Sequence, residues 1–179
     1  MKLNNYSSGN FSRGRSKLIE AAWIISRTIV FCHFVPSSAA RVWLLRLFGA
    51  HIGQGVVIKP GVKIKFPWRL EIGNYVWLGE DAWIDNLALV SVGDNTCISQ
   101  GAYLCTGSHN WKSENFDLIT KPISIGPKVW IAARATIGPG IIIGEGSVVC
   151  LGCTVTTDIA PWVVWSQSQA PIIKARVHC

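Results

Sequence analysis

From residue 52 an aliphatic residue recurs every sixth position. The first set is Ile52, Ile58 and Ile64. A two-residue slip leads to Ile72, Leu78 and Ile84, and a second slip leads to Val92, Ile98 and Leu104. After an insertion the frame resumes with Ile125, Ile131, Ile137, Ile143, Val149 and Val155. A helix, with about 3.6 residues per turn, cannot hold such a frame on one face. Short strands joined by turns can, each six-residue unit forming one flat side with its aliphatic residue toward a common axis. Three sides close a coil of about 18 residues, and stacked coils bury a continuous apolar ladder while satisfying each other's backbone hydrogen bonds. The fold class is therefore an all-β solenoid, a parallel β-helix of about five coils at 52–69, 72–89, 92–109, 125–142 and 143–160. Glycine often follows the aliphatic residue, at 53, 73, 79, 93, 126, 138 and 144, and is assigned the backbone freedom of the corners. Four positions after the aliphatic residue stands mostly a small or β-branched residue, as at Val62, Ala82, Ala88, Ala102, Ser108 and Cys153.

The rest of the chain divides around this prism. Residues 1–50 form a helical leader, 51–161 the β-helix with a loop at 110–124, and 162–179 a closing segment. Within the leader, 16–35 reads as a helix broken by Pro36-Ser37-Ser38, and Ala39–Phe48 as a second, shorter one. Two readings of the leader stay open. It caps the first coil, which would otherwise expose apolar surface, or it is a basic, Trp-bearing surface that rests on a membrane. With 179 residues the chain supports one sizeable core, and its 49% apolar content excludes disorder.

No secretory signal is visible, and the longest charge-free apolar run, Thr28–Ala40, is 13 residues, short of the roughly 20 that a membrane span needs. A cytoplasmic protein is expected, acting at the inner face of the membrane if the leader rests there. The six cysteines are read as reduced thiols, and Cys150-Leu-Gly-Cys153 as core filler rather than a metal or redox pair. The net charge of +7 suits an anionic partner. Nucleic acid is disfavoured because the basic residues form no run longer than two and match no binding module. A phosphate-bearing cofactor or an anionic membrane surface fits better.

The frame breaks by many residues once, between Leu104 and Ile125, and His109 stands at the mouth of that insertion. It is the one histidine within the coils, His33, His51 and His178 lying outside them. Loops on rigid scaffolds commonly carry function. A solitary histidine suits general base catalysis, since an ordinary imidazole titrates near pH ~6.5 and accepts a proton around neutrality. A catalytic zinc would need about three protein ligands, so no metal is expected.

Residues 16–176 resemble the hexapeptide-repeat acyltransferases, whose known fold is a left-handed parallel β-helix; the hand is implied by the resemblance, not by the spacing. The likeness is strongest to the colanic acid (exopolysaccharide) biosynthesis acetyltransferases. It rests on Leu45-Arg-Leu-Phe-Gly-Ala50, Phe66-Pro-Trp68, Gly107-Ser-His-Asn110 and Lys128-Val-Trp-Ile131. The resemblance implies acetyl-CoA as co-substrate, His109 as the catalytic base, and direct attack of an acceptor hydroxyl on the thioester. By position, Asp85 or its neighbour Asn86 would meet the acceptor. Trp130, Ala132 and Ala133 would line the pantetheine groove, with Leu151 and Thr156 further along it. Lys174 and Arg176 would meet the nucleotide phosphates. A homotrimer with sites between subunits and a sugar or lipid-linked saccharide acceptor are likewise implied.

The chain departs from the family pattern at Ile131-Ala-Ala133, Cys150-Leu-Gly-Cys153 and Gln167-Ser-Gln-Ala170, all on the cofactor side. Added bulk there would narrow the groove or favour another acyl group. The leading expectation is O-acetylation of a sugar hydroxyl in exopolysaccharide biosynthesis. The alternatives are acetylation of serine, a free sugar or a xenobiotic, a zinc hydratase on the same fold, and a non-catalytic scaffold.

Overall fold

A computed structural model describes residues 3–6, 8–9, 11–167 and 171–175. Two helices, α1 (Lys17–Val30) and α2 (Ser38–Leu47), lead into a three-faced parallel β-helix. Ser16 caps α1 by accepting a hydrogen bond from the Ile19 amide at 3.4 Å, and Ser37 caps α2 by accepting from Ala40 at 3.1 Å. The first helix ends five residues before the expected 35, in a turn that precedes Pro36.

The first face stacks His51–Ile52, Leu70–Ile72, Val90–Val92, Ile123–Ile125 and Ile142–Ile143. The second stacks Val57–Ile58, Trp77–Leu78, Cys97–Ile98, Trp130–Ile131, Val148–Val149 and Val163–Gln167, with Pro171–Ala175 added antiparallel at its end. The third stacks Lys63–Ile64, Trp83–Asp85, Tyr103–Cys105, Thr136–Ile137 and Thr154–Val155. The aliphatic ladder sits in register on every face, Ile52 opposite Ile72 opposite Val92, then Ile125 and Ile143. All the ladder residues from Ile58 to Val155 are buried, with Ile52 partly covered at the open end. The closing segment extends the prism by a further partial turn: Ile159 bridges to Ile143, and Val164 pairs with Val148. There are thus about six turns rather than five.

One expectation about the corners changes. The glycines that directly follow the aliphatic residues are not the left-handed ones. The positive φ angles fall two residues later, at Gly55, Tyr75, Asn95 and Lys128 on one corner and at Gly61, Asp81, Gly101 and Arg134 on the next. The first set of glycines serves close stacking instead. A Cβ at Gly53 would lie 2.6 Å from the Gly73 backbone, and one at Gly79 would lie 2.4 Å from the Gln100 nitrogen. At the corner between the third and first faces, where extra residues enter the turn, Asn86 and Thr106 point inward and are fully buried.

The helical leader closes the open end of the prism. The first turn exposes strand carbonyls that no earlier turn can satisfy. Arg46 donates to Ile52 O at 2.8 Å, Arg41 to Ile58 O at 3.0 Å, and Trp23 Nε1 and Arg27 to Ile64 O at 3.1 and 3.2 Å. One carbonyl on each of the three faces is thereby met by the cap. Only Trp23 of α1 is fully buried; Leu18, Ile19 and Ile29 are exposed.

Candidate active site

His109 lies where the third face ends and the insertion begins. The insertion is not a plain loop: Gly107–His109 pairs antiparallel with Leu118–Thr120, opposing His109 to Leu118. The hairpin brings the chain back so that His109 Nδ1 is 2.9 Å from Phe116 O. A carbonyl only accepts, so Nδ1 of the neutral ring carries the proton and Nε2 keeps its lone pair. The ring is held further by the Phe116 ring, stacked at 4.2 Å with 2° between planes, and by Tyr6, edge-on at 5.8 Å. Phe116 has φ +52°, a conformation uncommon for a non-glycine residue, which the hairpin enforces.

The histidine lines a cleft of about 420 Å³ together with Tyr6, Phe11, Arg13, Lys65 and Phe66. Three of these residues, Tyr6, Phe11 and Arg13, come from the segment before α1. Arg69 holds that segment by donating to Ser12 O and by covering both the Phe11 and Phe66 rings, 5.1 and 5.4 Å from their centroids. Trp68 Nε1 adds a 2.8 Å bond to Arg13 O. The cleft therefore pairs aromatic faces with polar groups.

Asp85 sits one turn below, opposite Cys105 in the strand register. Its carboxylate is 3.0 Å from Lys65 Nζ and accepts a 3.4 Å bond from Tyr103 OH. Burial above all, with Cys105 and Asp85 alongside, pushes the Tyr103 phenol up, so it stays a neutral donor. Asp85 thus orients Lys65, which reaches the cleft wall. Asn86 points the other way. It is fully buried, Oδ1 accepts from the Lys65 and Phe66 amides at 3.2 and 3.0 Å, and Nδ2 donates to Phe66 O and Arg69 O at 2.6 and 3.0 Å. Its amide has no group left for an acceptor, and its work is to hold the corner.

The residues matched to a cofactor lie elsewhere on the prism. Trp130 is on the second face, half exposed, its indole N–H bonded to Ser99 Oγ at 2.9 Å. Ala132 and Ala133 turn the corner to the third face, and Leu151 occupies the same corner one turn on, where Gly152 N donates to Ala133 O at 2.9 Å. Leu151 is 72% exposed. Within one chain these four are not brought to His109, which occupies a different corner. Thr156 is exposed beyond the last strand of the third face. Lys174 is in the final antiparallel strand, opposite Val164; its side chain and Arg176 lie outside the described residues. Among the described residues no three His, Cys, Asp or Glu side chains gather as a metal site requires, and no helix is long and apolar enough to cross a membrane. The five described cysteines are free, and Cys153 is buried at an inward small-residue position.

Phe116, Tyr6, Phe11 and Lys65 are the site residues that sequence reasoning missed. Lys65 was findable, since it precedes Asp85 by 20 residues, the spacing of the register there. Nothing local marks the other three.

The described chain is a repeat prism with one backbone-oriented histidine at the mouth of its insertion. The chain is 39% identical over 168 residues to a protein of Escherichia coli (strain K12) that bears the name colanic acid biosynthesis acetyltransferase WcaF, covering 94% of this chain and 92% of that one. It is 32% identical over 138 residues to the galactoside O-acetyltransferase of the same organism, covering 75% and 68%. Its fold matches a hexapeptide-repeat acetyltransferase of Vibrio cholerae O1 biovar eltor solved with acetyl coenzyme A, at TM-score 0.83 and 20% identity over 98% and 97% of the two chains. No family model matches. The chain belongs to the hexapeptide-repeat acetyltransferases, and its prism is the left-handed parallel β-helix of that family.

Proposed function

We propose that this acetyltransferase moves an acetyl group from acetyl-CoA to a sugar hydroxyl during exopolysaccharide biosynthesis, with His109 as the general base. The observation that carries the reading is the bond between His109 Nδ1 and Phe116 O in a residue that lines the cleft. It leaves Nε2 as the ring's proton acceptor, held in place by packing rather than by the substrate. The acceptor hydroxyl gives its proton to Nε2 as its oxygen bonds to the acyl carbon. The same proton then leaves with the sulfur as the C–S bond breaks. A thioester is already activated, so placement and one base account for much of the rate.

The acceptor side is supported by the aromatic and polar lining of the cleft and by the sugar-directed names of the two relatives. The co-substrate side is supported by the exposed Trp130 and Leu151 flanking the small Ala132 and Ala133. That arrangement can seat a slim, partly apolar arm against the prism. The thioester would supply the activated acyl group there, and Lys174 and Arg176 suit its phosphates. Since His109 and Trp130 occupy different edges of one prism, a second copy must bring the groove to the base. A homotrimer meets that need by repeating one contact around a closed ring.

The acceptor class is tested by following thiol release from acetyl-CoA with different acceptors. Glycosides and polysaccharide repeat units are expected to be turned over at least about tenfold better, as kcat/KM, than serine or chloramphenicol, a site built for several hydroxyls rejecting ligands that leave its polar groups unpaired. Preference for the small alcohols would replace the polysaccharide reading with the xenobiotic one.

A further inference from the structure

Helix α1 carries apolar residues on its outward side as well as on its inward one, where Trp23 is buried. An ordinary surface helix turns its apolar stripe inward and its charges to water. Here the inward residues include Arg27, spent on Ile64 O, and Glu20, paired with Arg13 at 2.6 Å. The outward stripe is Leu18, Ile25 and Ile29, spaced by seven and four residues and 83%, 64% and 62% exposed. Phe34, just past the helix, is 95% exposed, and Trp43 and Leu47, one turn apart on α2, also face solvent. Hydrophobic residues this large, in rows on both elements of one small cap, mark a contact surface.

Charge distinguishes what covers it. Residues 1–50 carry seven Lys and Arg and one Glu, a net of +6 out of the chain's +7. The arginines that satisfy strand carbonyls keep their charge, because a carbonyl is neutral. Residues 51–179 carry ten basic and nine acidic side chains, nearly balanced. Arg15 and Lys17 are exposed at the start of the apolar stripe. A second copy of this chain would bring +6 against +6 across such a face. An apolar stripe beside a concentrated positive charge, with an exposed tryptophan, is instead the composition that settles into a headgroup layer rich in acidic lipid.

We infer that the outer face of the α1–α2 cap docks on an anionic lipid bilayer. The inference does not depend on which acceptor is modified.

The test is flotation of the full chain with vesicles of phosphatidylcholine alone or with phosphatidylglycerol. Binding to the anionic vesicles is expected, at least about tenfold tighter than to the neutral ones and weakened by salt. Ile25→Ser with Ile29→Ser, both at exposed positions, should weaken binding about tenfold or more while thiol release in solution and oligomeric mass stay unchanged. Arg15→Gln with Lys17→Gln should weaken binding to anionic vesicles alone. Absence of binding to the anionic vesicles, binding indifferent to both pairs, or a change of oligomeric mass with the isoleucine pair would overturn the inference. The last result would assign the stripe to a contact between copies.

Discussion

Replacing His109 by alanine is expected to lower the rate of acetyl transfer by about 10²–10⁴-fold, the share a positioned general base usually carries. The fold should not change. His109 stands at the rim of the prism, outside its ladder, and the hairpin that carries it is closed by its own backbone bonds, Asn110 N to Asp117 O at 2.8 Å among them. Stability and oligomeric mass should match the parent. The loss should fall on kcat, since the imidazole contributes when the proton moves, and the groove residues lie on another edge. Steady-state thiol release at saturating acetyl-CoA, beside a denaturation curve, checks both halves. Turnover within a few-fold of the parent would remove His109 from the chemistry.

Asn86→Ala is expected to have the largest effect on stability. The side chain is fully buried and bonds four backbone groups of the turn below. The Lys65 amide also donates to Ile84 O and Phe66 O also accepts from the Arg69 amide, so the Phe66 amide and the Arg69 carbonyl are the two that rely on Asn86. A buried polar group left without a partner costs about 1–3 kcal/mol. Two such groups would cost about 2–6 kcal/mol; relaxation or an admitted water would recover part, leaving a loss of about 2 kcal/mol or more. Denaturant unfolding at fixed protein concentration reads it. Because Asn86 fixes the corner that carries Phe66 and Arg69, and these anchor the segment bearing Tyr6 and Phe11, acceptor KM should rise with it. A variant as stable as the parent but impaired for acceptor would contradict the corner role and return Asn86 to direct contact.

The prism was legible because a ladder spaced by six has few other solutions. Every aliphatic position of the frame lies in a strand, and the register slips by two residues where the sequence does. The sequence pattern did not mark Asn86 and Thr106 as inward positions, because the extra corner residues displace the chain there. It misassigned the glycines because close stacking and left-handed φ both select glycine and cannot be told apart by counting. The position of His109 followed from the single large interruption. The carbonyl that orients it did not, because that contact depends on a hairpin whose strands show no alternation. Tyr6 and Phe11 were invisible for a simpler reason: they precede His109 by 103 and 98 residues, lie in neither repeat nor motif, and are brought to the cleft by Arg69 and Trp68.

The separation of base and groove on one chain makes the central claim open to subunit mixing. His109→Ala removes the base, and Ala133→Trp fills the groove corner; each homo-oligomer should be nearly inactive. When the two are dissociated and reassembled together in equal amounts, about a quarter of the sites in a ring should combine an intact His109 with an intact groove from the neighbouring copy. The account predicts recovery to about that fraction of parental turnover. Mixed assemblies no more active than the separate variants would show that base and groove act within one chain, or not together at all.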